Sequence, residues 1–169
     1  MKQLAEVVTV GEAYVSGAYQ PGRRRQRISS VRLADVPPLV KFLAALGHST
    51  STAAIASRLD WIQLRNDNRL WAATDPDGCP TGMVTAHLVQ PSGPGRPHVE
   101  VTSLLVSAAH HPGRTAHDLI ATAETWAIGR KAASVNLPPS LRPGASGAFY
   151  ESVGYTHTGT RFWKGLRCG

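Results

Sequence analysis

The spacing of apolar residues predicts regular structure from residue 28 onward. Residues 28–33 alternate between apolar and polar side chains, as a half-buried strand does. Apolar residues then recur at helical spacing over 36–46, where Asp35 is placed to cap the helix and two prolines suit its first turn. A second helical pattern follows Ser51. One strand and two short helices are therefore expected first.

The middle of the chain predicts a meander of three antiparallel strands. The strand candidates cover residues 69–74, 81–89 and 98–106. The Asp-Pro-Asp-Gly sequence at 75–78 suits a tight reversal between the first two. A loop rich in proline and glycine separates the second strand from the third.

The C-terminal third predicts a long helix and shorter elements. Apolar residues recur at helical spacing from Ala116 to about residue 131. A brief strand at 134–137, a helix that Gly154 ends and a last strand at 155–166 follow. The element order indicates an α/β or α+β fold, because order alone does not give the topology.

Residues 1–26 are predicted to be an N-terminal extension, and residues 27–169 a single domain. Glycines and prolines interrupt every period in the extension, although residues 7–10 could add a strand. A homodimer in which this segment joins a partner's sheet stays open. The run Arg23-Arg24-Arg25 then precedes the first strand.

Composition excludes several classes of protein. The chain has 169 residues, 42% hydrophobic and 17% charged, and no apolar run approaches the roughly 18 residues of a membrane helix. The N-terminus lacks a signal-peptide pattern, so a cytoplasmic location is expected. The two cysteines give no disulfide framework. The net charge is +7, but no aromatic residues interleave with the arginines, which disfavours nucleic-acid binding.

Two segments carry a resemblance to a known family. One is Val101-Thr102-Ser103-Leu104-Leu105-Val106, followed by a short loop and the long helix, and the other is Phe149-Tyr150-Glu151-Ser152-Val153-Gly154-Tyr155. Together they resemble the GCN5-related N-acetyltransferase (GNAT) superfamily over about residues 28–166. The resemblance implies a central mixed, mostly antiparallel sheet flanked by about four helices.

The resemblance also implies a site for acetyl-CoA. The strand ending at Val106 would splay from the strand at 134–137, and the pantetheine arm would lie in the gap. The pyrophosphate would lie over the start of the long helix, where free amides and the helix dipole favour negative charge. The implied cofactor-binding residues are Leu104, Leu105, Val106, His111, Gly113, Arg114, Thr115 and Ala116.

The pyrophosphate loop departs from the family pattern of Gln or Arg, two residues, Gly, one residue, then Gly or Ala. The helix register puts His111, Arg114 and Ala116 at those places, and only Ala116 conforms. Pro112 withdraws one amide donor, and Asp118 is expected to add a negative charge in the first helical turn. Gly113 is nevertheless present and Arg114 could pair with phosphate, so a weakened site for acetyl-CoA is predicted.

Three residues are candidates for chemistry. Tyr150 matches the family's tyrosine acid, which would protonate the departing thiolate, but it could instead pack beside Phe149. Glu100 could act as a base, directly or through water, or be a solvated surface residue. His87 could relay a proton from its strand, as could His48 in a loop, or be structural. The trio His110, His111 and His117 lacks zinc-ligand spacing, so no metal is expected.

These observations favour an acetyl-CoA-dependent N-acetyltransferase acting on a small amine-containing metabolite or antibiotic. The eroded loop keeps two alternatives open. The fold could have lost CoA and carry out another reaction of small-molecule biosynthesis, such as a cyclisation, condensation or decarboxylation. It could also serve as a non-catalytic ligand-binding protein.

Overall fold

A computed structural model describes residues 26–108, 112–137, 145–159 and 161–167 of the chain. The predictions that concern residues 7–10, the run Arg23–Arg25, His110 and His111 lie outside the described residues.

The described residues form four α-helices and seven strands. In chain order these elements are β1 (Arg27–Ser30), α1 (Val36–Ala45), α2 (Thr52–Gln63), β2 (Asn68–Thr74), β3 (Pro80–Val89), β4 (His98–Val106), α3 (Pro112–Gly129), β5 (Ser134–Leu137), α4 (Ala145–Ser152), β6 (Thr156–His157) and β7 (Phe162–Gly165).

The seven strands form one sheet in the order β1-β2-β3-β4-β5-β7-β6. Neighbouring strands are antiparallel except β4 and β5, which are parallel. The prediction of a mixed, mostly antiparallel sheet flanked by about four helices is confirmed.

A predicted helix cap and a predicted turn form as their side chains suggest. The Ser51 hydroxyl accepts a hydrogen bond from the Ala54 amide at 3.1 Å and so caps α2. Asp75 accepts from the amides of Asp77 and Cys79 at 3.0 and 2.8 Å, which closes the β2–β3 hairpin. Gly78 completes this turn with φ of 83°.

The single strand predicted at 155–166 is wrong. Gly159 adopts a φ of 81°, and the Thr158 amide donates to the Arg161 carbonyl at 2.8 Å. The chain therefore reverses, and β6 pairs with β7 as a short antiparallel hairpin at the edge of the sheet. A left-handed glycine permits a turn inside a pattern that otherwise resembles a strand.

The start of the fold also differs from the prediction. The strand ends at Ser30 and not at Leu33, because Leu33–Asp35 forms a 3-10 turn. Asp35 accepts from the Arg32 amide at 2.8 Å and so closes that turn. It makes no side-chain hydrogen bond that caps α1, which begins with prolines at its first positions.

Helices cover both faces of the sheet, and each face has its own core. Leu119, Ile120 and Ala123 of α3 pack with one set of strand residues, which includes Val84, Val101 and Leu104. Helices α1 and α2 pack on the other face, against residues that include Leu70 and Leu105. Among the described residues, no helix is long and apolar enough to cross a membrane.

Candidate functional site

Strands β4 and β5 meet at one end and then separate. They pair only at Val99 with Val135 and at Glu100 with Asn136. Beyond that point β4 continues to Val106 without a further β5 partner. The space between the two strands after Glu100 and Asn136 is called the β4–β5 gap here, and this last pair is its vertex.

A bulge in β4 accompanies the separation. On the β3 side Ser103 pairs with Thr85 and Val101 with Ala86, so Thr102 has no opposite residue. The Thr102 hydroxyl donates to the Thr85 carbonyl at 3.3 Å, which holds the bulge in place. Bulges bend a strand and increase its twist, so this one turns the end of β4 away from its neighbour.

The ladder between β3 and β4 decides which backbone groups face the gap. The Ser107 amide donates to the Thr81 carbonyl at 2.8 Å. By the alternation of an antiparallel ladder, the backbone groups of Leu105 are directed to Met83, and those of Leu104 and Val106 to the opposite side. Two residues of the predicted cofactor-binding set thus direct backbone groups to the gap, where no strand of the described part of the chain pairs with them.

The first turn of α3 lies close to the end of β4. Gly82 is the β3 partner of Val106, and a Cβ atom built on Gly82 would approach Thr115 Cγ2 to 2.8 Å and Leu119 Cδ1 to 2.9 Å. Only glycine therefore allows this closeness. Because the first amides of a helix have no intrahelical partner, the turn that contains Gly113 and Arg114 presents donors beside the gap.

Asp118 does not lie where the sequence pattern placed it. Helix α3 begins at Pro112, so Asp118 is in the second turn and the first turn holds no acid. Its carboxylate lies 3.8 Å from the Arg114 guanidinium, 3.3 Å from the His117 ring and accepts from the Gln26 amide at 3.1 Å. The negative charge of Asp118 is therefore farther from the helix start than expected, and it interacts with Arg114 and Gln26.

Gln26 also contacts the first turn itself. The Thr115 hydroxyl donates to the Gln26 side-chain oxygen at 2.9 Å, and Thr115 is almost fully buried. Gln26 thus links the segment just before β1 to both Thr115 and Asp118. No local sequence pattern indicates this contact, because 89 residues separate Gln26 from Thr115.

Tyr150 lies in the core on the α3 face of the sheet. It packs edge-on against Phe149 and in a tilted contact with Phe162, each at 5.2 Å between ring centroids. Burial raises the pKa of its phenol, so the hydroxyl stays protonated across the ordinary pH range.

The Lys164 ammonium links the end of α4 to α3. It donates to Glu124 at 2.9 Å and to the Val153 carbonyl at 2.8 Å.

Glu100 and His87 project from the opposite face, where α1 and α2 lie. They are direct partners across β3 and β4. Asn136 is the next residue across the sheet, so His87, Glu100 and Asn136 form a continuous polar row on three adjacent strands. The predicted base and the predicted relay are thus brought together, and Tyr150 belongs to the other side of the sheet. His48, the other relay candidate, follows α1 in a loop.

Arginine and histidine side chains lie beside Glu100. Its carboxylate lies 3.4 Å from the Arg161 guanidinium and 3.5 Å from the His98 ring. The sequence pattern missed both Asn136 and Arg161. The register of β5 against β4 places Asn136 beside Glu100, and the position of β7 beside β5 places Arg161 within reach of it. Local periodicity predicts neither the register nor the position of β7.

No cluster of three or more His, Cys, Asp or Glu side chains with the geometry of a metal site occurs within the described ranges. His117, one member of the histidine trio in the sequence, contacts Asp118 on the surface of α3.

Solved structures of acetyltransferases share this fold. The GNAT-family acetyltransferase from Streptococcus pneumoniae superposes with a TM-score of 0.70 at 14% identity, covering 85% of this chain and all (100%) of the other. The aminoglycoside antibiotic 6'-N-acetyltransferase from Acinetobacter baumannii gives a TM-score of 0.66 at 12% identity, covering 79% and 92%. A GNAT family N-acetyltransferase from Escherichia coli in complex with CoA gives 0.61 at 18% identity, covering 89% and 86%.

Sequence comparison gives the family. No curated protein matches the sequence significantly. Residues 39–155, more than half of the chain, match the family model described as the acetyltransferase (GNAT) family. Together with the resemblance carried by residues 101–106 and 149–155, this match shows that the chain belongs to the GNAT family of acetyltransferases.

Proposed function

We propose that the protein is an acyl-CoA-dependent N-acetyltransferase acting on a small amine. The observation that carries this proposal is the β4–β5 gap, where the backbone groups of Leu104 and Val106 point away from β3 and meet no other strand among the described residues. An extended chain with amide groups can pair with such an edge as an added strand does. The pantetheine arm of CoA is a chain of this kind.

The start of α3 supports the proposal at the phosphate end. The first-turn amides and the helix dipole favour an anion there, and Arg114 adds a positive charge. The carboxylate of Asp118 is in the second turn and is paired, so it opposes phosphate binding less than the sequence suggested. Gly113, Thr115 and Ala116 complete this turn, and His111 stays part of the proposed loop.

The proposed reaction needs a neutral amine and a proton for the leaving group. The bound ammonium loses a proton to Glu100, directly or through a water molecule, or to His87. The amine nitrogen then attacks the thioester carbon, so that a C–N bond forms, the C–S bond breaks and the thiolate leaves. Tyr150 is protonated and is the proposed donor of the proton that completes the thiol. The nitrogen loses its second proton as the amide forms, and this proton returns through solvent to the Tyr150 phenolate.

Binding of acetyl-CoA tests the proposal directly. Calorimetric titration should give a dissociation constant below about 100 μM, and 1 mM acetyl-CoA should then stabilise the fold by more than about 1.4 kcal/mol. Arg114→Gln should weaken binding by about tenfold, and the matched variant Arg58→Gln, an exposed arginine on α2, should not. The absence of both heat and stabilisation for the unmodified chain would exclude acetyl transfer.

One observation favours a second candidate. Arg114 stands where the family pattern has glycine, and its side chain is held by Asp118 across the first turns of α3. A GNAT-fold enzyme that has lost CoA and converts a metabolite by other chemistry would retain such an arginine without penalty. This candidate predicts no binding of acetyl-CoA together with binding of a metabolite on the polar row.

A further inference from the structure

The vertex of the β4–β5 gap holds a polar site that the proposed chemistry does not fully use. Glu100 and Asn136 are the last paired residues before β4 and β5 separate, so their side chains stand side by side where the gap begins. His87 continues the row on β3. The row therefore lies on the α1–α2 face at the point where the gap opens.

Two side-chain atoms of the row are buried and have no hydrogen-bond partner among the described residues. The Asn136 side-chain oxygen and His87 Nδ1 are buried and make no hydrogen bond in the described part of the chain. A buried polar group without a hydrogen bond costs free energy, because it has lost its hydration and gained no partner. A bound ligand that offers a hydrogen-bond donor to Asn136 would remove this cost.

Arg161 reaches Glu100 although it precedes β7, which lies on the far side of β5 from β4. Trp163 of β7 is the direct partner of Asn136 in β5, and Arg161 precedes Trp163 by two residues, on the same face. Its guanidinium lies 3.4 Å from the Glu100 carboxylate, and the two side chains are 52% and 39% exposed. Such an exposed pair contributes little to stability, so a ligand can separate its members at low cost.

We propose that this vertex selects a zwitterionic acceptor, an amine with a carboxylate on a nearby carbon, as in an amino acid. The inference rests on the proposed function, because it assigns the acceptor of that reaction. The ammonium donates to Glu100 and to the Asn136 oxygen, and the carboxylate takes the Arg161 guanidinium in a bidentate pair. Each charge of the separated pair thereby gains a partner.

The charges argue against a polycationic acceptor. One carboxylate, Glu100, faces both Arg161 and His98. The second and third ammonium groups of a polyamine would meet Arg161 without a carboxylate to offset it. The chain as a whole carries 18 Lys and Arg residues against 11 Asp and Glu residues, so long-range electrostatics also disfavour a polycation.

Matched pairs of ligands test the inference. Each common L-amino acid is compared with the amine that its decarboxylation gives, by calorimetric titration of the free protein and of the protein with CoA. At least one amino acid should bind about tenfold or more tightly than its amine. Arg161→Gln should remove this preference by weakening the amino acid alone, whereas Arg58→Gln should leave it unchanged.

A second variant keeps the test independent of Arg161. Asn136→Leu should weaken the amino acid and its amine alike, because both donate to the same oxygen, and it should not destabilise the fold, because that oxygen is unpaired. The inference is overturned if no amino acid binds better than its amine, or if Arg161→Gln weakens both ligands equally. If amino acids bind selectively but acetyl-CoA does not bind, the proposed function fails and the zwitterion-selective site stands.

Discussion

At the scale of single residues, the family resemblance selected positions whose environment it did not describe. Glu100 is a candidate base because it precedes the core segment of β4, and His87, Asn136 and Arg161 lie around it in the structure. Tyr150 is a candidate acid because of the Phe-Tyr-Glu stretch, and it lies in an aromatic core. The residue types determine which reactions a site could perform, and the neighbouring side chains determine which of those reactions are possible.

Replacement of Tyr150 by Phe tests its proposed role as acid. If the hydroxyl protonates the leaving thiolate, Tyr150→Phe should lower kcat about 100-fold with little change in KM, because only the transition state loses an interaction. Tyr155→Phe is a matched control, since Tyr155 is a second buried tyrosine of the same core. An unchanged kcat for Tyr150→Phe would remove this residue from the mechanism.

The two buried tyrosines predict how stability depends on pH. Burial raises the pKa of Tyr150, and burial together with the nearby Glu124 carboxylate raises that of Tyr155. In the unfolded chain both titrate near pH 10, so above that pH the unfolded state releases protons that the folded state retains. Folded stability should therefore be unaffected by these groups below about pH 9 and decrease as pH rises above about 10.

Each tyrosine should contribute about 1.4 kcal/mol per pH unit to this decrease. Urea unfolding of the unmodified chain and of Tyr155→Phe between about pH 9 and 11.5 measures the effect. The variant should lose stability less steeply by about that amount, and equal slopes for the two proteins would contradict the assignment.

At the scale of elements, the position of α3 depends on one glycine of β3. Gly82 lets the first turns of α3 approach the end of β4, since a Cβ there would come within 3.0 Å of the Leu105 carbonyl oxygen and closer still to Thr115. The sequence pattern predicted the helix and the strand correctly. It did not predict how closely they pack, because the distance depends on a residue 33 positions before Thr115.

Gly82→Ala should therefore displace the start of α3. We expect a loss of about 1–3 kcal/mol in the free energy of unfolding, measured by urea, and weaker binding of acetyl-CoA. Gly93→Ala is the matched control, because a Cβ at Gly93 meets no atom within 4 Å. Equal stability of the two variants would show that α3 adjusts without cost.

At the scale of the whole molecule, we propose that the domain comprises residues 27–169. A chain that begins at Gln26 keeps the contacts of Gln26 with Thr115 and Asp118, so its free energy of unfolding should stay within about 1 kcal/mol of the full chain. Thermal and urea unfolding measure this, and a larger loss would move the domain boundary into the extension.

The sequence predicted most elements because their signals are local. Ser51 caps α2 through its own hydroxyl, the Asp75–Gly78 turn closes within a few residues, and β4 was predicted at its observed bounds from alternation and a preceding proline-rich loop. The β6–β7 hairpin was missed, since a two-residue strand is too short for a periodic signal. The 3-10 turn after β1 was missed for the same reason.

The sequence by itself determined the family, the order of the elements apart from the 3-10 turn and the β6–β7 hairpin, and the residue types at the proposed site. Only the tertiary structure decided that Glu100 and Asn136 close the β4–β5 gap, that Arg161 pairs with Glu100 and that Gln26 and Arg114 contact the carboxylate of Asp118. These contacts join residues on different strands or far apart in the chain. Local propensity acts over a few residues, whereas register and packing fix which distant residues meet.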